Sequence, residues 1–152
     1  MKIRVVAIAK PERDCYHQLA ERFVKMSKRY ADVEIRELFN AKVHRAQENG
    51  PEPARKIYAE LFEPWRGRGL AIALDPAAKE VDTERFADLL RDRQEVTFFI
   101  GGAYGHGPEF LRSCDRSLSL SKLTMSHKVA KVVLFEQIYR ALTILHGHPY
   151  HK

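Results

Sequence analysis

Near the N-terminus apolar and polar positions alternate through "KIRVVAIA", and the Val and Ile content of residues 3–9 predicts a β-strand there. The apolar spacing then lengthens. Cys15, Leu19, Phe23 and Met26 recur at steps of four, four and three, which predicts a helix over residues 12–30 carrying those four side chains on one face. Alternation returns in "VEIREL" (33–38), a second strand. The polar stretch "NAKVHRAQENGPEP" is broken by Gly50, Pro51 and Pro53 and reads as a loop, after which a helical pattern runs from Ala54 to Phe62 until "PWRGRG" stops it. "LAIALD" (70–75) has the short apolar run of a buried strand. "VDTERFADLLRD" offers Asp82 or Thr83 as N-cap of a helix with Phe86, Leu89 and Leu90 inward. There follow the strand "EVTFFI", a glycine turn, a short helix from Pro108 to about Cys114, an extended piece around "SLSLS" (117–121), a long helix from His127 to His146 and the tail "HPYHK".

Strands alternating with helices predict an α/β fold: a mostly parallel sheet flanked by helices, with any ligand beyond the carboxyl ends of the strands. Two loops leave such ends, the one after "AIAL" and "GGAYGHG" after Ile100, and together they predict one crevice. The second loop places Gly101, Gly102, Gly105 and Gly107 within seven residues, a cost in chain entropy that makes sense where the backbone turns sharply or approaches something closely. In the last helix Val129, Val132, Val133, Leu134, Phe135, Ile138, Leu142, Ile144 and Leu145 cover more than one face. One stripe is expected to meet the sheet and the surplus a second subunit, the alternative being a helix sandwiched within its own chain.

At 152 residues the chain is expected to form one domain, 1–152. No apolar run approaches the roughly 20 residues of a membrane span, and the short apolar start followed by "PERD" is not a signal peptide, so a cytoplasmic protein with no membrane partner is expected. Cys15 and Cys114 lie far apart without ligand spacing, which points to reduced thiols and no metal. Lys and Arg number 26 against 20 acidic residues, a net charge of +6 that favours a polyanionic partner. The basic residues are dispersed rather than gathered in a tail. The glycine loop is neither G-x-G-x-x-G, since Phe110 stands where the third glycine belongs, nor a P-loop, and no G-x-S-x-G elbow occurs.

"IGGAYGHG", "SLSLSKLTMSH", "VVLFEQIYRALTILHG" and the terminal "HPYHK" resemble, in order and spacing, the ribosomal RNA large subunit methyltransferase H family of the SPOUT class. The likeness extends weakly to "MKIRVVAIAK" and "LAIALDPAAKEVDT". Ala103 and Tyr104 after the glycine doublet, and Ser126 where proline is frequent, depart from the family pattern, and "HRAQENGPEPARK" is poorly matched. The resemblance implies a C-terminal deep trefoil knot, a homodimer built on the C-terminal helices, and S-adenosylmethionine as cofactor. The implied reaction is methylation of N3 of a pseudouridine in helix 69 of 23S rRNA on the assembled 70S ribosome. Carried across by motif, the cofactor would contact Leu74, Gly102, Ser121, Lys122, Leu123, Thr124, Met125 and Ser126, with Gly101 and Gly102 letting the backbone pass close to it.

Methyl transfer needs an in-line acceptor, exclusion of water, and a route for the imino proton of N3. His151, beside Tyr150, is the first candidate for assisting at the acceptor and His127 the second. Arg140 and Lys152 are candidates for RNA phosphate or ring oxygens, and Arg22, Lys25, Arg29, Arg91 and Arg93 for rRNA phosphates. A non-catalytic ribosome- or RNA-binding protein of the same fold is the main alternative. A nucleotide-binding enzyme of unrelated chemistry would leave the C-terminal motifs unexplained.

Overall fold

The computed structural model describes residues 1–152 and contains one sheet of five parallel strands in the order β2-β1-β4-β3-β5. The strands are β1 (Lys2–Ile8), β2 (Asp32–Leu38), β3 (Leu70–Leu74), β4 (Glu95–Ile100) and β5 (Arg116–Leu118). The helices are α1 (Cys15–Ser27), α2 (Ala41–Glu48), α3 (Pro51–Arg66), α4 (Thr83–Leu90), α5 (Pro108–Ser113) and α6 (His127–Leu145). The parallel α/β sheet expected from the sequence is therefore present.

Successive residues of the inner strands divide between two cores, as the two-residue period of a strand requires. Ile3, Val5, Ile72, Val96, Phe98 and Ile100 pack with α1, α4 and α6. Val6, Ile8, Ala71, Ala73 and Phe99 pack with α2, α3 and α5. With both faces covered, β1, β3 and β4 are apolar nearly throughout. Arg4 and Thr97 are the buried polar exceptions: Thr97 donates to Arg68 O at 3.2 Å, and Arg4, only 5% exposed, bridges Glu34 at 3.2 Å and Glu95 at 2.7 Å.

Three expectations change. The segment read as a loop holds α2, capped by the Asn40 side chain, which accepts from Val43 N at 3.0 Å. Helix α3 starts at Pro51, where a missing N–H costs nothing, and runs past Pro64 to Arg66, whose guanidinium meets Glu63 at 2.6 and 3.0 Å. On α1 the inward face is turned from the expected one. Ala20 and Ser27 are buried, Phe23 and Met26 are half-buried, and Cys15 and Leu19 are exposed.

Helix α6 lies between α1 and α4 and buries Leu134, Phe135, Ile138, Ala141 and Leu142 against the sheet. Tyr139 sits beside Phe23 and Tyr30 of the α1 side. Most of the apolar surplus on α6 is thus covered within the chain. What stays exposed is Val129, with Tyr16 and Leu19 one turn apart on neighbouring α1. No helix is long and apolar enough to cross a membrane.

Lys131 of α6 is buried against Glu37 of β2 at 3.5 Å, both side chains under 10% exposed. Removing one partner strands a buried charge, whereas replacing both does not. Lys131→Met is expected to cost about 3 kcal/mol and Glu37→Leu/Lys131→Met to return within about 1 kcal/mol of the parent. Urea unfolding of the parent, Lys131→Met, Glu37→Leu and the double variant tests this, and additive losses would refute it.

Candidate functional site

The carboxyl ends of β3, β4 and β5 open into one cavity of about 400 Å³, within the range of small-molecule sites. Three segments form it. Leu74, Asp75 and Pro76 follow β3; Gly101, Gly102, Ala103 and Gly105 follow β4; Leu118 to His127, without Ser119 and Lys122, come from β5 and the start of α6. The shared crevice predicted for the first two segments is therefore present, and the third completes it.

Backbone hydrogen bonds join these segments. Asp75 N donates to Leu118 O at 2.9 Å and Ser119 N to Lys79 O at 3.2 Å, so the chain leaving β5 is tied along the loop that follows β3. In the glycine loop, Gly105 N donates to Gly102 O at 3.0 Å, and Gly105 itself has φ +65°, a conformation that suits glycine. Ser126 caps α6, its hydroxyl accepting from Val129 N at 3.3 Å, so this residue starts the helix by side-chain capping.

Between these fixed points, residues 122–125 bond to almost nothing in the chain. Leu123 N donates to the Ser121 hydroxyl at 3.0 Å, while the amides of Lys122, Thr124 and Met125 have no partner. Unpaired amides and carbonyls beside the apolar Leu74, Ile100, Leu120 and Met125 suit a flat heteroaromatic ligand with hydrogen-bonding edges, so the wall fits an adenine-containing group. Leu123 is 78% exposed at the mouth, an apolar side chain with nothing over it.

Of the sequence-nominated cofactor contacts, Leu74, Gly102, Ser121, Leu123, Thr124, Met125 and Ser126 line the cavity, and Lys122 does not. His127 also lines it. The tail residues do not. Arg140 is thirteen residues beyond His127, about 20 Å along the helix. Around it, Tyr150 Oη donates to Glu136 at 3.3 Å, and Glu136 also holds Arg140 at 2.6 and 3.0 Å. His151 sits between Arg140 Nη1 at 3.3 Å and Glu84 Oε1 at 3.1 Å. Arg only donates and a carboxylate only accepts, so Nδ1 of His151 accepts and Nε2 carries the proton. Burial, and then the Glu136 carboxylate, raise the Tyr150 phenol above its ordinary pKa, and the same carboxylate raises Arg140. Lys152 is exposed at the end of the chain. One chain thus has the cavity at one end of α6 and the ordered tail cluster toward the other.

His106, in the glycine loop, escaped the sequence reading. Its Nε2 lies 3.1 Å from Phe99 O and so carries the proton, its ring stacks on Phe110 with centroids 5.0 Å apart, and its Nδ1 is buried without a partner. Burial pushes its pKa down to about 4, against weaker opposing effects of the Phe99 carbonyl and Asp75. The Cys114 thiol, also on this side of the sheet, is pushed up to about 11 by burial. No group of three or more His, Cys, Asp or Glu side chains is arranged to hold a metal ion.

A family model described as "Predicted SPOUT methyltransferase" matches residues 1–151, which sets the class of the fold and of its site. Curated relatives named "Ribosomal RNA large subunit methyltransferase H" match end to end: that of Sulfurovum sp. is 50% identical and that of Aliarcobacter butzleri 49%, each over the whole of both chains. The chain belongs to the ribosomal RNA large subunit methyltransferase H family of SPOUT methyltransferases. Among solved structures, a methylase-family protein from Haemophilus influenzae aligns over 99% of this chain and 70% of its own, with TM-score 0.60 and 14% identity. A methyltransferase from Legionella pneumophila, solved with bound SAM, aligns over 93% and 66%, with TM-score 0.51 and 15% identity. At such identities these two bear on the fold alone.

With a folded-state pKa of about 4 against about 6.5 unfolded, His106 binds a proton in the unfolded chain first. Its contribution is complete above pH 6.5 and is lost as pH falls from 6.5 to 4, by about 3 kcal/mol. His106→Gln, which cannot charge, is expected to lose less stability over that window. Urea midpoints at pH 7 and 4.5 test this, and parallel losses in the two proteins would refute it.

Proposed function

We propose that this protein is an S-adenosylmethionine-dependent rRNA methyltransferase that modifies N3 of a pseudouridine in helix 69 of 23S rRNA on the assembled ribosome. In this reading residues 1–152 act as one knotted domain in a cytoplasmic homodimer. The observation that carries it is the cavity after β3, β4 and β5, lined by seven of the eight residues nominated for the cofactor, in a chain that matches the family from end to end. Leu74, Leu123 and Met125 would cover the adenine faces, Gly102, Ser121, Thr124 and Ser126 would border it, and the free amides of 122–125 would meet its edges. Lys122 would serve through its backbone. The cofactor supplies an electrophilic methyl group on a sulfonium, so the chain's own task is to bind, orient and keep water out.

The acceptor must also lose a proton. His127 borders the cavity of its own chain, whereas His151, Tyr150 and Arg140 lie far along α6, so the tail would serve the cavity of a partner subunit. A dimer through the α1 and α6 surface is supported by the exposed Tyr16, Leu19 and Val129. Both ring nitrogens of His151 are engaged, by Arg140 and Glu84. To take a proton, Nδ1 must give up Arg140, and an RNA phosphate competing for that guanidinium would release it. Lys152, free at the terminus, would add phosphate affinity.

Recognition of rRNA is supported by α1. Arg22, Lys25, Lys28 and Arg29 are all exposed, and Glu21, the one acidic residue of the helix, is taken by His17 at 3.0 Å. Arg93 is likewise exposed. Arg91 is less available, being held by Asp88 at 2.9 Å.

The test is transfer of labelled methyl from S-adenosylmethionine to ribosomes lacking the helix 69 modification, with free large subunits and naked rRNA alongside. Label is expected at N3 of the pseudouridine on assembled ribosomes. His151→Ala is expected to lower kcat by about 100-fold or more while leaving cofactor affinity unchanged. Salt-sensitive ribosome binding without any transfer would favour the non-catalytic alternative.

A further inference from the structure

The back of the glycine loop, away from the cavity, rests on the α2–α3 hairpin. A Cβ added at Gly102 would lie 2.6 Å from Cζ and Oη of Tyr58 and 3.0 Å from Ile8 Cγ2, while one at Gly101 would lie 2.8 Å from the Gly105 carbonyl carbon. Neither glycine has positive φ. The side chain excluded at 102 is therefore excluded by α3 beneath the loop, and a cofactor above it is not needed to explain the glycine. This is a second reason for that glycine, beside the close cofactor approach expected from the sequence.

Tyr58 is 1% exposed, and its hydroxyl accepts from Gln47 Nε2 at 2.6 Å. The same Gln47, through its backbone carbonyl, accepts from the Tyr104 phenol at 3.2 Å. Arg55 Nε donates to Tyr104 O at 2.8 Å, a charge-assisted bond across 49 residues of sequence. A Cβ at Gly107 would meet Arg55 Cβ at an ordinary 3.5 Å. Two hairpin side chains and one hairpin carbonyl thus support the loop, Tyr58 beneath Gly102 and Arg55 Nε and Gln47 O at Tyr104, and none of the three residues lines the cavity. The loop's other side, at Gly101, Gly102, Ala103 and Gly105, is left to form the wall.

We propose that Gln47, Arg55 and Tyr58 are positioning residues for S-adenosylmethionine, setting the height of the 101–105 wall from the opposite face of the sheet. This rests on the reading that the cavity takes that cofactor. The hairpin is thereby part of the cofactor site although it contributes no group to it. A wall held from behind can be close-fitting while made of glycine, because its backbone freedom is removed by bonds to a rigid helix pair.

Calorimetric titration of the full-length protein with S-adenosylhomocysteine tests the assignment. Arg55→Ala is expected to weaken binding about tenfold, the loss of one charge-assisted bond, with Arg55→Lys intermediate. In methyl transfer its KM for S-adenosylmethionine should rise with kcat unchanged, whereas simple destabilisation would lower the active fraction and leave KM alone. Gly102→Ala alone should bind at least about tenfold more weakly, and Gly102→Ala/Tyr58→Leu should recover to the level of Tyr58→Leu, since the clash is with the tyrosine ring. Arg55→Ala binding within twofold of the parent would overturn the proposal, as would a double variant no better than Gly102→Ala. If the Tyr58 variants do not fold, the Arg55 pair decides alone. Failure of the parent itself to bind would overturn the cofactor reading, and this proposal with it.

Discussion

The short ladder between β3 and β5 is the constraint on which the site depends. β5 pairs with β3, at the sheet edge, although β4 precedes it in the chain, so the segment after β4 must pass beyond β3 and then return to form α6 on the other face. A three-residue strand is weak alone. It is lengthened at one end by the Asp115 carboxylate, which accepts from Ala71 N at 2.8 Å, and at the other by the Asp75–Leu118 and Ser119–Lys79 backbone bonds. Those bonds draw residues 118–126 along the loop after β3 and bring three loops from separate parts of the chain around one cavity. If the ladder slipped by one residue, Leu118 would leave the core and Ser117 would enter it.

The two faces of the sheet divide the remaining work. On one, α6 is held between α1 and α4, fixed by the buried Lys131–Glu37 pair and, at its start, by Lys128, which contacts both Glu12 and Asp14. That contact, with the bond from His17 N, holds the Asp14 carboxyl down to about 2. On the other face small residues, Ala71 and Ala73, admit Tyr58 and Phe62 close to the sheet. The glycine loop lies on the crest between the two, its wall toward α6 and its supports in α3.

The sequence was informative where a pattern was long or its chemistry local. Alternation marked β1 and β2, a short apolar run marked β3, and the Asp82–Thr83 pair marked the start of α4. Helix α2 was hidden because only Val43 and Ala46 turn inward, too few to show a period, and the flanking Gly50, Pro51 and Pro53 read as breakers although Pro51 opens the next helix. The α1 face was misjudged because small residues, Ala20 and Ser27, are the ones pressed against neighbours while larger Leu19 is outside. The cofactor loop had no spacing of its own to announce it and emerged from resemblance. The supports at Gln47, Arg55 and Tyr58 were beyond reach, since their meaning lies in contacts across 49 and 57 residues.

The distance along α6 bears on how such a small chain can work. Its cavity can bind and orient, but it holds one histidine, His127, and no arginine or lysine side chain. The residues suited to an anionic substrate and a mobile proton, Arg140, Tyr150, His151 and Lys152, are gathered about four turns of helix away. A rigid α6, wedged on both sides, cannot bend to close that gap. Two chains can, if the tail of each meets the cavity of the other, and the dimer then becomes a condition for activity rather than an accessory to stability. In such a dimer the tail groups proposed to handle the proton would stand where RNA could complete them, because the Arg140–His151 contact that occupies Nδ1 is one that a phosphate can break.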